Sequence, residues 1–241
     1  MAETTPDASM SIGGHLVELR QRLVWASAAL LVASVVGFIF HKKILSWLIV
    51  PYQAAVPDAS LAFFRPTEAF SVAMRMSLFG GLILASPVII YQVWRFVSPA
   101  LTNQERRYVI PLSLVLAVLF ASGVALGYWS LERGLSFLFD FGGDSLEPVI
   151  QAESYLSFAT RFILVFGFAF EFPVFMFAAA AAGAVGSRAL RDNRRWAVTA
   201  IVVIGAVITP SGDPLTLLLL STPLYILYEF TILAIRFILK K

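Results

Sequence analysis

The chain has 241 residues, of which 59% are hydrophobic and 14% charged, with a mean hydropathy of +0.82. Soluble domains are about 45–50% apolar and about 25% charged, so this composition excludes an ordinary globular protein, and the length leaves no room for a separate soluble domain. There is no cysteine, which removes disulfides, thiolate catalysis and cysteine metal sites; the net charge of +3 says less than where the cations fall.

Six apolar runs approach the roughly 20 residues that cross a bilayer: about 23–40, 76–94, 108–131, 162–185, 196–209 and 215–235. They are too long for barrel strands and do not alternate. Only a helix satisfies every backbone group within its own segment. The expected fold is therefore all-α, with six transmembrane helices in a single polytopic membrane domain over 1–241. The first run has the basic flank of a signal peptide in Arg20 and Arg22. It is longer than the usual ~7–15 apolar residues and ends in His41-Lys42-Lys43 rather than in small residues, so it reads as a retained span. With the N-terminus cytoplasmic, twelve Lys and Arg flank the spans on the cytoplasmic side and six on the other. The positive-inside rule then places both termini in the cytoplasm.

Two long loops, about 42–75 and 132–161, face outward on this topology. Their apolar stretches Ile44–Val50 and Leu135–Phe141 read as separate interfacial helices, with Trp47 in the aromatic belt. The fifth run is short, about 21 Å of helix against a hydrocarbon core of about 30 Å. The outward turn Pro210-Ser211-Gly212-Asp213-Pro214 joins it tightly to the sixth. The fifth and sixth helices are thus expected to be a short antiparallel pair. No internal repeat is visible, which speaks against an inverted-repeat transporter, and no glycine-rich phosphate loop is present.

Four carboxylates stand out. Glu171, in GFAFEFPVF, is the single charge in the fourth run; an acid at mid-span costs about 3 kcal/mol and usually faces a bundle interior or a water-filled cavity. Pro173 deprives the carbonyl of residue 169 of its helical donor and kinks the helix beside it. The alternative is a glutamate hydrogen-bonded inside a packed bundle. Glu229, nearer the cytoplasmic end of the sixth run, is within reach of Tyr228, Arg236 or interfacial water. In HLVELRQRL (15–23), Leu16, Leu19 and Leu23 form an apolar stripe, and Glu18 and Arg22 form an i,i+4 pair in the favourable order. Glu105, in Thr102-x-x-Glu105, reads as a capping box opening the third helix. The two histidines, His15 and His41, fall on opposite sides, and no helix offers metal-ligand spacing. The inventory therefore supports no metal, no cofactor and no catalytic site, and the chain is not expected to be an enzyme.

Five blocks in order, HLVELRQRL (15–23), FFRPTEAF (63–70), SPVIIYQVWRFVSPALTNQERR (86–107), FGFAFEFPV (166–174) and TPSGDPLTLLLLSTPLYILYE (209–229), resemble the TatC family, the large polytopic subunit of the twin-arginine protein translocase. The resemblance implies a core receptor in the bacterial plasma (inner) membrane. Such a receptor binds twin-arginine signal peptides of folded cargo on its cytoplasmic face. It also nucleates single-span TatA- and TatB-type subunits for translocation driven by the proton-motive force. By the same resemblance, Glu18, Arg20 and Glu105, with Phe96 and Pro99, form the signal-peptide site, and Glu171 is the intramembrane polar site. Thr209, Thr216 and Glu229 are then partner-helix contacts, and Pro51, Phe70 and Asp213 belong to outward motifs. Arg65 is not a residue expected in every member. The lipid bilayer and further copies of the chain complete the expected partners, with no nucleic acid. The alternative functions are a proton-coupled secondary transporter using Glu171 and a lipid-packing scaffold indifferent to these acids.

Overall fold

The computed structural model describes residues 12–57, 61–97, 109–141, 149–181, 183, 185–209 and 212–239. In chain order the elements are α1 (Ile12–Ile39), α2 (His41–Ala55), β1 (Leu61–Ala62), α3 (Glu68–Val97), α4 (Val109–Asp140), β2 (Ile150–Gln151), α5 (Ala152–Ala169), α6 (Phe172–Ala181), α7 (Ser187–Asp192), α8 (Arg194–Ile208) and α9 (Pro214–Ala234). A π-turn, Ile235–Leu239, extends α9. Five helical segments are long and apolar enough to span a membrane: 13–39, 68–96, 112–140, 152–181 and 214–239. The remaining apolar run, the fifth, is α8, whose 15 residues give about 22 Å of helix.

Three expectations change. Leu135–Phe141 does not form a separate interfacial helix, because α4 runs unbroken for 32 residues to Asp140 and Leu131 and Leu135 share one buried face. The sixth helix is not short: α9 has 21 residues, and shortness belongs to α8 alone. The fourth span begins ten residues early, at Ala152, and is broken at Phe170–Glu171. A helix does form at Ile44–Val50, as part of α2.

Small residues set the helix crossings, as they must where lipid supplies no hydrophobic drive between helices. Where α1 crosses α3, a Cβ on Gly37 would collide with the Ser77 carbonyl, and Ser77 Oγ donates to the Ser34 carbonyl. Where α4 crosses α5, a Cβ on Gly167 would press on the Phe120 ring at 2.9 Å. Two helix-internal prolines, in α2 and α3, are matched with hydroxyls. Pro51 in α2 cannot donate to the Trp47 carbonyl, which instead accepts from Tyr128 Oη at 3.0 Å. Pro87 in α3 leaves the Ile83 carbonyl to Ser86 Oγ at 2.7 Å. An orphaned buried carbonyl would otherwise be costly.

The main core lies at the end of the bundle away from the α1 N-terminus. Leu48, Tyr52, Met76, Leu131, Leu156 and Phe162 meet there from α2, α3, α4 and α5. Loop connections at that end are tied by a parallel bridge, Leu61 opposite Ile150 and Ala62 opposite Gln151. The other end is held by two smaller clusters, Trp94–Leu116–Val174 and Ile201–Tyr228–Ile232.

Candidate functional site

The start of α1 and the end of α3 form one patch. The His15 ring stacks on Phe96 at 4.4 Å and 19°. Glu18 Oε1 accepts from Arg22 Nη2 at 2.9 Å, the i,i+4 pair expected from the spacing. Arg22 Nη1 reaches across to Gln92 Oε1 at 3.3 Å. This leaves Glu18 Oε2 and Arg22 Nε buried and without a hydrogen-bond partner. Arg20 points into solvent beside them. The patch thus presents a carboxylate half-committed to an internal arginine, flanked by stacked rings. A guanidinium can take such an oxygen with paired N–H donors in a way that an ammonium cannot. Glu105 and Pro99, the other two members expected here, lie outside the described residues. Gln92 and His15 were not singled out from sequence, although both lie in the motif blocks; the signal that finds them is contact across 70 or more positions.

Glu171 sits at the break between α5 and α6, only 6% exposed. Its backbone N–H bonds to the Phe168 carbonyl at 3.1 Å, a tight turn, and its own carbonyl receives Val174 N–H at 3.1 Å. Pro173, in the first turn of α6, lacks the donor that would continue α5. The interruption is therefore a consequence of sequence. The side-chain Oε1 is buried with no hydrogen-bond partner. The expected kink is a two-residue break, and the packed alternative, a glutamate already satisfied by neighbours, is not what is found among the described residues.

Glu229 meets different partners from those expected. Arg194 Nη2 donates to Oε2 at 2.6 Å and Tyr225 Oη to Oε1 at 2.9 Å. Tyr225 is four residues back and on the same helical face, whereas Tyr228 turns to the Leu190 carbonyl at 2.8 Å. Arg236 lies seven residues on, about 10 Å along the axis, beside the Phe237 ring. The hydrogen bond to Glu229 raises the pKa of Arg194, so the arginine stays charged. Thr209 and Thr216 are buried, at 5% and 0% exposure. Thr209 Oγ1 donates to the Gly205 carbonyl at 2.8 Å, and Thr216 faces Gly134 of α4, so neither hydroxyl is presented on the surface of the chain. Asp213 caps α9, accepting from Thr216 N–H at 2.8 Å. Phe70 is exposed in the first turn of α3 and Pro51 is buried in α2.

One carboxylate was missed. Glu68, in the FFRPTEAF block, is 1% exposed. Its Oε2 accepts from Phe64 N–H and Gln151 Nε2, and its Oε1 from Glu153 N–H, all at 3.0 Å. Two of these donors lie more than 80 residues away, so no local pattern reveals the role. Among the described residues no group of His, Asp and Glu could hold a metal ion.

The family model for the Sec-independent protein translocase protein TatC matches residues 14–223. Similar curated proteins include TatC of Frankia casuarinae, 37% identical over 95% of this chain and 66% of its own length. TatC of Carboxydothermus hydrogenoformans is 33% identical over 98% and 96%, and that of Aquifex aeolicus 37% over 92% and 93%. Two crystal structures described as the twin-arginine translocase receptor TatC superpose with TM-scores of 0.77 and 0.80, each at 36% identity. They cover 91% and 92% of this chain and 96% and 99% of their own.

Proposed function

The chain belongs to the TatC family of Sec-independent protein translocase proteins, and on that premise we propose that it is the receptor of its translocase, binding twin-arginine signal peptides through the α1–α3 patch. The observation that carries this reading is the Glu18 carboxylate, with one oxygen on Arg22 and the other buried and unpartnered. An incoming arginine takes the free oxygen, and its partner arginine takes Glu105, assigned here from the NQERR motif alone. Charge-assisted bonds of this kind are worth about 1.5–3 kcal/mol each. Arg20 sets the field at the rim, and Phe96 and Pro99 shape the surface on which the peptide lies.

The rest of the reading follows the family. The protein crosses the bacterial inner membrane six times, α8 being the short fifth span, with both termini cytoplasmic. Glu171 lines a polar concavity that admits the signal hairpin or a polar group of a partner helix; an unpartnered carboxylate oxygen beside a broken helix suits that task. Single-span subunits of the TatA and TatB types dock on the α8–α9 side near Glu229, and several copies assemble for transport driven by the proton-motive force. A proton-coupled transporter would use Glu171 as well, but would have no need of the α1–α3 patch.

The deciding experiment is binding of a labelled arginine-pair signal peptide to the purified protein in nanodiscs, against its lysine-pair version. We expect Glu18→Gln and Glu105→Gln each to weaken the arginine peptide about tenfold or more, and the lysine peptide to bind worse than the arginine one throughout. Equal binding of the two peptides, or indifference to both substitutions in folded protein, would remove the receptor site from this patch.

A further inference from the structure

At the end of the bundle opposite the α1 N-terminus, Arg65, Arg75 and Arg161 line one open cavity of about 460 Å³. They arrive from three places: the segment leading into α3, α3 itself and α5. Glu153 is the one carboxylate among the described lining residues, and it lies 3.6 Å from Arg75. Arg75 is further fixed by donating to Ser157 Oγ at 2.6 Å, while its Nε is buried without a partner. Arg65 and Arg161 are exposed and enter no ion pair among the described residues. Three like charges held around one hollow repel each other, and among the described residues one acid leaves a positive excess. An anion seated there would relieve that repulsion.

Depth identifies the anion. Beyond Arg75, α3 carries no charged side chain from Met76 to Trp94, and beyond Arg161, α5 carries none from Phe162 to Phe170. Both arginines therefore mark the level at which their helices enter hydrocarbon, where long cationic side chains meet the headgroup layer. Phe158 gives the cavity an apolar edge. We propose that Arg65, Arg75 and Arg161 bind the phosphate of an anionic phospholipid, whose chains pass Phe158 into the adjoining bilayer. Basic pockets between helices at the membrane surface are suited to this, and the planar fork of each guanidinium matches phosphate oxygens. The site is independent of the receptor reading.

The test is native mass spectrometry of the full chain in detergent with equal amounts of phosphatidylglycerol and phosphatidylcholine. Retention of phosphatidylglycerol over phosphatidylcholine is expected in the wild type. It should fall about tenfold or more in R65Q/R161Q and several-fold in R65Q alone, with both variants unfolding at the wild-type temperature. R188Q/R191Q, at the other end of the bundle, should keep the preference. Three results would overturn the proposal: no preference in the wild type, equal losses in the two double variants, or displacement by glycerol 3-phosphate at concentrations matching the lipid, which would make the site one for soluble phosphates. A glutamate-rich peptide that protects the cavity from arginine-modifying reagent where phosphatidylglycerol does not would likewise reassign it to an acidic polypeptide.

Discussion

Two buried carboxylates, Glu68 and Glu171, show opposite solutions to the same physical problem. Glu68 closes the clasp at one end of the bundle, with its two oxygens accepting three hydrogen bonds from Phe64, Gln151 and Glu153. Those donors come from both long loops, beside the two-residue bridge that pairs them. Glu171 lies at a helix break with a buried oxygen that nothing satisfies. A buried polar group that is fully bonded holds a structure together; one left unbonded lowers stability and needs another reason to be present. The difference separates a bonded acid from an unbonded one, and it is invisible in residue type or exposure, since both side chains are buried.

The largest effect should come from Glu68→Ala. It strands three buried donors at once and unties the loops, and should lower the thermal midpoint of the detergent-solubilised protein by about 5–10 °C. Glu68→Gln should lose nearly as much, because its amide NH2 faces donors where an acceptor is required. A midpoint within about 2 °C of wild type for both would remove the clasp from the account. A smaller loss, about 2–4 °C, is expected for Gln151→Ala, which removes one donor and leaves the other two bonds intact. If it matched Glu68→Ala, the Gln151 link rather than the carboxylate would hold the loops.

Glu171→Gln sharpens the contrast from the other side. Neutralising an acid with no partner should leave the thermal midpoint within about 2 °C of wild type or raise it, while transport of a reporter with a twin-arginine signal falls. A drop in midpoint as large as that of Glu68→Ala would mean that Glu171 is a structural acid after all. The smallest effect should be that of Arg194→Gln. The Arg194–Glu229 pair is partly exposed, at 48% and 29% of the side chains, and exposed ion pairs contribute little. Its midpoint should move by no more than about 1 °C, read by the same melting assay.

Much of this was legible in the linear chain. Composition alone required a membrane bundle, the apolar runs located the helices, and Pro173 marked the break beside Glu171. The Glu18–Arg22 pair followed from i,i+4 spacing. Other features were misread because local signals do not carry them. The continuity of α4 through Leu135–Phe141 depends on a buried face shared with other helices. The apolar run 215–235 already matched the extent of α9, but not the π-turn that carries the helix on beyond Ala234. The partner of Glu229 came from α8, 35 residues away.

The sequence by itself determined that this chain spans a membrane, that it carries the TatC motif blocks and that acids stand where water is scarce. These are properties of hydrophobic length and of residue order, and they hold whatever the packing. Only the tertiary structure decided which acid is bonded and which is not. Where the donors are not local, a carboxylate's fate depends on what chain folding brings to it: residues 151 and 153 for Glu68, and none for Glu171 among the described residues. Hydrogen bonding is short-ranged and directional, so a one-dimensional pattern encodes only pairs one helical turn apart, and the same residue type becomes a clasp at one end of the bundle and an unbonded acid elsewhere.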